Sequence, residues 1–398
     1  MPRLQAAVSE SPVIATLPEG GAPTPPEPTL PAHLVRWHGL WQGWACGGRQ
    51  CDVRLAVERV SATQVTVAFA HVNPLQGLFA ERAVGQFVGD ELVLPLTGAR
   101  LTLRLRNDGD MEMAFWKPEK QLLSVGVLTQ KQIQTPYTRT IERIPTPWND
   151  GERQQTLEMV VYRPLGNGPF PTLVFNHGST GAGNRPEWFK LTWSSPEVAH
   201  YFTNQGWQVL FPQRRGRGQS DGLYDEGFSA DRSKGYSCEP ERAIAGFDRA
   251  VADLDVVMTH ILARPDVDRA QVLVGGVSRG GILSVAYAGR RPEMFKGVLN
   301  FVGGWLGDGC RQVAAVNPVL MQRGANFKRP TLWLYGDRDP YYKLSHSRNN
   351  FEAFKAAGGQ GEFLTFEPAP GRDGHSLHNE PFIWTSAVDR YLAAALGR

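Results

Sequence analysis

The spacing of apolar residues changes about one third of the way along the chain, and this change constrains the fold more than any other feature. From Trp37 to Thr129, apolar and polar residues alternate in short runs, as around Val65 and Val67. A period of two is typical of strands with one buried face, and no helical period interrupts the series. Residues 32–130 are therefore predicted to form a small antiparallel β domain, either a sandwich or a barrel.

Beyond that point, strand-like and helix-like patterns alternate. Residues 240–262 carry apolar side chains at three- and four-residue steps, which form one apolar face of a helix. Short apolar runs that end in turn residues, as buried parallel strands do, occupy residues 160–164, 171–178, 207–213, 271–278, 297–304 and 330–337. Residues 131–398 are therefore predicted to form an α/β domain, with helices flanking a mostly parallel sheet.

Residues 1–31 are rich in proline and lack periodic apolar residues, which predicts an extended tether without packed elements.

Charge and hydropathy argue against two classes of protein, those that bind nucleic acid and those that span a membrane. A net charge of +3 over 398 residues, with no run of lysine and arginine, gives no indication of a nucleic acid partner. No stretch approaches the roughly 18 consecutive apolar residues of a membrane span, so no integral membrane segment is predicted.

Four cysteines divide evenly between the two predicted domains: Cys46 with Cys51, and Cys238 with Cys310. An even count permits two disulfides, although four ordinary thiols are the alternative. Cys238 and Cys310 each flank an element that ends at the same edge of the predicted sheet, so we expect them to be bonded. Such a bond indicates a periplasmic or secreted protein whose signal peptide is absent from this sequence, with a cytoplasmic protein as the alternative.

The segment Gly276–Gly280 reads Gly-Val-Ser-Arg-Gly and matches the pattern G-x-S-x-G. It follows a strand-like run and precedes the helix-like run 282–288, which is the context of a nucleophile elbow. This sharp turn exposes Ser278 at the end of a strand, and side chains at the flanking glycines would clash with the neighbouring strand and helix. A glycine-rich turn in a nonhydrolytic α/β fold is the structural alternative.

A serine hydroxyl needs a general base, and the base needs an acid that fixes its tautomer. The run 331–335 leads into Asp337 and Asp339, and His375 and His378 follow farther along. The order serine, aspartate, histidine is that of the α/β-hydrolases. The two histidines in an H-x-x-H spacing could also suggest a metal pair, but no third ligand is indicated, so no metal site is predicted.

Five motifs in this order make residues 140–398 resemble the α/β-hydrolase superfamily, within it the dienelactone-hydrolase and serine-aminopeptidase-like branches. They are residues 176–179 (NHGS), 215–222 (RGRGQSDG), 276–280 (GVSRG), 336–340 (GDRDP) and 371–376 (GRDGHS). The resemblance implies an α/β-hydrolase fold in which Asp339, rather than Asp337, is the acid. It likewise favours His375 over His378 as the base.

The resemblance also implies two backbone donors for an oxyanion, the amides of Arg279 and Ser179. His177 is then expected to shape the turn that carries Ser179. Gly178 and Arg215 are candidate substrate-binding residues. Arg215 could bind a substrate carboxylate because guanidinium groups suit carboxylates. The same reasoning applies to Arg214 and Arg217, although such arginines more often pair with acidic loops. Residues 219–240 form an unusually long connection that is expected to cover part of the pocket.

Three functions remain open on the sequence. The first is hydrolysis of a small-molecule carboxylic ester through an acyl-serine intermediate, without metal or organic cofactor. The second is a serine peptidase, in which Asp221, Asp225 and Glu226 are the candidates for recognising a free amino group. The third is a binding protein with an inactive hydrolase fold, whose β domain holds a ligand or partner.

Aromatic side chains are the reason for considering a binding function of the β domain. Trp37, Trp41 and Trp44 could stack on a sugar or lipid, although tryptophans at this spacing are more often core anchors.

Overall fold

The computed structural model describes residues 8–10, 15–45, 51–73, 77–106, 109–120, 122–130, 137–368 and 372–397. Its contacts divide the chain into two compact units. Residues 11–135 with 195–197 form the first, which we call the barrel unit, and residues 1–10, 136–194 and 198–398 form the second, which we call the α/β unit.

The apolar runs and the helical face singled out in the sequence coincide with strands and helices of the structure, which also contains elements that no pattern predicted. The strands are β1 Val8–Glu10, β2 Gly39–Ala45, β3 Cys51–Val60, β4 Val65–Asn73, β5 Gly77–Val88, β6 Glu91–Leu96, β7 Ala99–Leu105, β8 Met111–Lys117, β9 Leu122–Thr129, β10 Tyr137–Asp150, β11 Arg153–Pro164, β12 Phe170–Asn176, β13 Gln208–Pro212, β14 Val267–Val277, β15 Gly297–Phe301, β16 Thr331–Gly336 and β17 Gly361–Phe366. The α-helices are α1 Ala32–Val35, α2 Pro196–Thr203, α3 Pro240–Ala263, α4 Arg279–Arg290, α5 Val313–Gln322, α6 Leu344–Ala356 and α7 Pro381–Leu396. Short 3-10 helices span Pro118–Lys120, Pro186–Lys190, Arg232–Lys234, Pro292–Met294, Arg323–Asn326 and Gly374–Asn379.

The barrel unit is a closed antiparallel barrel of β2 to β9 in sequential order, with β2 paired to β9. Alternation places the side chains of Leu92, Leu94, Leu101 and Leu103 inside, where each is fully buried. The prediction of a small antiparallel β domain is therefore confirmed, and of its two forms the barrel is the one adopted.

Two tryptophans of the barrel unit lie in its hydrophobic core. Trp37 and Trp41 are 5% and 2% exposed, and the Trp41 indole N–H donates to the Trp37 carbonyl at 3.0 Å. Neither ring offers a face for stacking on a ligand, which corrects that reading for these two residues. The Trp44 side chain lies outside the described part of the chain.

Part of the proline-rich segment also packs on the barrel. The Ala15 amide donates to Asp52 Oδ2 at 2.8 Å, and Ala15 lies in a small apolar cluster with Ala70 and Val72. A buried carboxylate and a buried backbone donor satisfy each other here. These contacts differ from the unpacked tether expected over residues 1–31.

The α/β unit contains a nine-stranded sheet in the order β1-β10-β11-β13-β12-β14-β15-β16-β17. The last six strands of this order are parallel, and β1, β10 and β11 extend the sheet by antiparallel pairing. Helix α3 buries Phe247, Leu254 and Val257 at the predicted helical spacing. The predicted α/β-hydrolase fold is confirmed, and the carboxyl ends of β12, β14 and β16 meet at one edge of the sheet.

None of the helices in the described part of the chain combines the length and the apolar composition that a membrane span requires.

Candidate active site

Ser278 forms the turn between β14 and α4 and has φ 56° and ψ −122°. Such a backbone conformation costs a non-glycine residue about 1–3 kcal/mol and persists only where its surroundings enforce it. A Cβ at Gly276 would lie 2.5 Å from the Gly280 backbone, and one at Gly280 would lie 2.0 Å from the Asn176 carbonyl oxygen. The two glycines therefore let β12, β14 and α4 approach closely enough to form the predicted elbow.

His375 and Asp339 contact each other although 36 residues separate them. His375 Nδ1 lies 2.9 Å from Asp339 Oδ2, and the Asp339 side chain is only 1% exposed. Because a carboxylate can only accept, the imidazole carries its proton on Nδ1, and Nε2 is left with a free lone pair. Asp339 Oδ1 accepts hydrogen bonds from the amides of Tyr341 and Tyr342, which hold the carboxylate in place.

The rival residues have different surroundings. Asp337 is exposed and accepts from the neighbouring Arg338 amide. His378 is buried, and among the described residues its Nδ1 has no hydrogen-bond partner. Burial, together with His375 and Arg372, lowers the pKa of His378 to about 3, so this ring stays neutral without an acid to orient it.

The turn after β12 lies directly against the serine. A Cβ at Gly178 would be 3.2 Å from Ser278 Cβ. His177 shapes this turn: its Nδ1 donates to the Gly178 carbonyl at 2.7 Å, and its Nε2 accepts the Arg214 amide at 3.2 Å. Burial, with Arg214 and Arg217, lowers the pKa of His177 well below its ordinary value, so His177 remains a neutral structural residue.

The predicted oxyanion donors belong to the turn that contains Ser278 and to the turn after β12. Arg279 is the first residue of α4, where backbone amides have no partner within the helix. Ser179 follows Gly178, and its hydroxyl donates to the Gly181 carbonyl at 3.2 Å, which orders the turn. Both residues line the same cavity as Ser278.

This cavity has a volume of about 620 Å³ and lies wholly within the α/β unit. Ser278, His375, Gly178 and Ser179 line it, as do residues 234, 236 and 237 of the long connection 219–240. Residues 305–310 form another part of the wall. The connection therefore contributes a side wall of the cavity, as the sequence predicts.

A disulfide joins these two walls. Cys238 and Cys310 are bonded, with Cα atoms 5.3 Å apart and 72 residues between them. This pairing agrees with the expectation from their positions at one edge of the sheet. Cys51 is buried at the start of its strand, whereas Cys46 lies outside the described residues, so the second pairing stays a prediction.

Arg215 does not reach the cavity. Its side chain forms an ion pair with buried Asp253, donates to the Arg249 carbonyl at 3.2 Å and lies 3.9 Å from the Trp148 ring centroid. Asp253 also accepts the Arg215 amide at 2.9 Å. The expectation that Arg215 binds substrate is therefore wrong. Arg215 instead pairs with an acidic residue inside the protein, as arginines in such loops more often do.

A buried ion-pair cluster lies behind the cavity wall, and in it Arg214 pairs with an acidic loop, the alternative that the sequence left open. Glu226 pairs with Arg214 and lies 3.4 Å from Arg279, and Tyr224 donates to it at 2.9 Å. Burial alone would raise the pKa of Glu226, but the two guanidinium groups outweigh burial and hold the pKa below its ordinary value. The Arg279 guanidinium also lies 3.6 Å from the ring centroid of Tyr236, which lines the cavity. The cluster therefore supports the Tyr236 ring from behind.

Sequence reasoning missed Tyr342. Its hydroxyl lies 3.4 Å from Ser278 Oγ, and its ring centroid lies 5.5 Å from that of His375. The only signal was its position, three residues after Asp339 in the acid turn.

Comparison with known proteins finds similarity to hydrolases. Residues 192–305 match the family described as serine aminopeptidase, S33. A candidate carboxymethylenebutenolidase of Methylorubrum extorquens is 26% identical over 215 residues, 54% of this chain. Acyl-protein thioesterase 1 homolog 1 of Dictyostelium discoideum is 23% identical over 159 residues, 40% of this chain. The matched regions span 66% of the length of each of these relatives.

Among solved structures, an esterase of Pyrococcus furiosus superposes with a TM-score of 0.44 at 17% identity, covering 67% of this chain and 93% of that one. The sheet order, the elbow between β14 and α4 and the family match over residues 192–305 lead to one assignment. The chain has the α/β-hydrolase fold and is similar to the serine-aminopeptidase and dienelactone-hydrolase branches of that superfamily.

Proposed function

We propose that the protein is a serine esterase that cleaves a carboxylic ester through an acyl-serine intermediate. Ser278 is the nucleophile, His375 the general base and Asp339 the orienting acid. The observation that carries the proposal is the 2.9 Å contact of His375 with Asp339, in a cavity that His375 shares with Ser278. In the first half-reaction, Ser278 Oγ attacks the ester carbonyl while its proton passes to His375 Nε2 and then to the leaving alcohol.

The oxyanion formed in each half-reaction would accept hydrogen bonds from the amides of Arg279 and Ser179. Their support is the position of Arg279 at the start of α4 and the contact of Gly178 with Ser278. One such donor typically lowers the barrier by about 3 kcal/mol. Water then attacks the acyl-serine with His375 as base, and the acid product leaves.

A peptidase is the second candidate, because residues 192–305 match a serine aminopeptidase family. Its acidic candidates for binding a free amino group are already paired. Asp221 contacts Arg153 at 2.9 Å, Asp225 lies 3.4 Å from Arg232, and Glu226 belongs to the buried cluster. These pairings favour the ester over the aminoacyl substrate.

Activity toward nitrophenyl esters and aminoacyl nitroanilides, measured side by side, separates the two candidates. We expect ester turnover and labelling of Ser278 by a fluorophosphonate, both lost in Ser278→Ala. His375→Ala should approach the Ser278→Ala level because members of a triad fail as a unit, whereas His378→Ala should retain far more activity. Labelling of another serine would reject Ser278 as the nucleophile, and no labelling would favour a binding protein with an inactive fold.

We further propose that the protein folds in an oxidising compartment, either periplasmic or extracellular. The disulfide between Cys238 and Cys310 supports this, because such bonds persist where thiols are not kept reduced. Thiol titration of the native protein, purified without reductant, should find neither sulfur reactive. Full reactivity of both would contradict the proposal.

A further inference from the structure

Tyr342 lines the cavity beside the proposed nucleophile. It is 5% exposed, and its hydroxyl donates to the Gly304 carbonyl at 2.8 Å. A phenol carries one hydrogen, so with this hydrogen engaged the same oxygen can only accept. Ser278 Oγ lies 3.4 Å away, so the serine hydroxyl donates to Tyr342. Burial raises the pKa of Tyr342 further above its ordinary value, so the phenol stays protonated when the enzyme works.

Tyr342 is connected to each of the three proposed catalytic residues by a different group. Its amide donates to Asp339 Oδ1 at 3.1 Å, its ring lies beside the His375 ring, and its hydroxyl accepts from Ser278. The ring position depends on Gly304, where a Cβ would lie 2.5 Å from the Tyr342 ring. One residue therefore links the serine with the paired histidine and aspartate, through its backbone amide and its side chain.

Among the described residues, Ser278 Oγ is hydrogen-bonded to Tyr342, and His375 is hydrogen-bonded to Asp339. Catalytic hydrogen bonds are often long before substrate binds. A hydroxyl held at Tyr342 needs only a rotation about its own Cβ–Oγ bond to redirect the proton toward His375. The serine oxygen itself keeps its place during that rotation.

We infer that Tyr342 is a positioning residue that holds Ser278 Oγ beside His375 in the free enzyme. This inference rests on the proposed function. Its effect is confined to the first half-reaction, because in the acyl-enzyme Ser278 Oγ is bonded to the acyl carbon and has no hydrogen to donate. Loss of the phenol oxygen therefore slows acylation and leaves deacylation unchanged.

Tyr342→Phe tests the inference, and Tyr335→Phe is its matched control. Tyr335 is also buried, and its hydroxyl donates at 2.9 Å to the carbonyl of Gly303, the residue before Gly304. Tyr335→Phe thus removes an equivalent anchor of the same loop without touching the serine. For each variant, the rate of fluorophosphonate inactivation measures the first step, and stopped-flow bursts with a nitrophenyl ester separate acylation from deacylation.

We expect Tyr342→Phe to slow inactivation and acylation roughly 3- to 10-fold, the range for one hydrogen bond, with deacylation and thermal stability close to those of Tyr335→Phe. Gly304→Ala, which displaces the Tyr342 ring, should slow the same step at least as much. Equal effects of the two Phe variants, or equal slowing of both half-reactions by Tyr342→Phe, would overturn the inference and leave Tyr342 a loop anchor. Absence of Ser278 labelling in the unmodified protein would instead reject the proposed function itself.

Discussion

Replacing Cys238 and Cys310 together with serine removes the bond between the two walls of the cavity. The bond closes a loop with a sequence separation of 72 residues. In the chain-entropy model, a loop of this size stabilises the folded state by about 4 kcal/mol, because the cross-link restricts the unfolded chain. The double variant should therefore lose about that amount of unfolding free energy.

The same change should affect the cavity. Tyr236 and Ser237 directly precede Cys238, and Trp305 and Leu306 lie shortly before Cys310 in the other wall segment. Freed from each other, the two walls sample more conformations, and substrate binding must then order them. KM for a nitrophenyl ester should accordingly rise more than kcat falls, since Ser278 and His375 belong to other segments.

Urea denaturation followed by tryptophan fluorescence measures the first effect, and steady-state kinetics the second. The unmodified protein in reductant is the matched control and should reproduce both changes. A loss of unfolding free energy below about 1 kcal/mol would show that the chain-entropy reasoning fails for this loop. An unchanged KM would show that the bond does not order the cavity.

Three further predictions concern charged groups. Asp339→Asn should lower kcat by about 10⁴-fold, because the orienting acid fixes the histidine tautomer, and Asp337→Asn far less; equal losses in ester turnover would leave the acid unassigned. Glu226→Gln should cost about 3–5 kcal/mol in urea unfolding, because it leaves two buried arginines without their carboxylate, and a loss under about 1 kcal/mol would refute this. Burial and Lys117 lower the pKa of His71 in the barrel unit to about 4 from 6.5. Since the unfolded chain then binds more protons, unfolding free energy should fall as the pH drops from about 6.5 to about 4, by roughly 3 kcal/mol, and His71→Gln should remove that pH dependence.

Local patterns predicted much of the fold because they report local physics. The helix expected over residues 240–262 is α3, Pro240–Ala263, since an apolar face at helical spacing must be buried. The elbow at Ser278 was also predictable, because its glycines are required by the close approach of adjacent elements. Alternation in residues 32–130 indicated strands but did not distinguish a sandwich from a barrel, because closure depends on the pairing of β2 with β9.

The site was only partly predictable for the same reason. The G-x-S-x-G motif between a strand and a helix indicated Ser278 as the nucleophile. The resemblance favoured Asp339 over Asp337 and His375 over His378, whereas spacing alone did not decide between the members of either pair. Arg215 carried a plausible chemistry in the sequence and turned out to be paired with Asp253. A side chain's chemistry is visible in a sequence, whereas its partner is not.

The sequence by itself therefore determined which segments form strands, helices and the strained turn, since these follow from sterics and burial among near neighbours. Only the tertiary structure decided which distant residues meet. The contact of His375 with Asp339, the bond between Cys238 and Cys310 and the place of Tyr342 beside Ser278 all depend on the order of the parallel strands. That order brings the ends of separate strands to one edge, and pairings across such an edge leave no periodic signal in the chain.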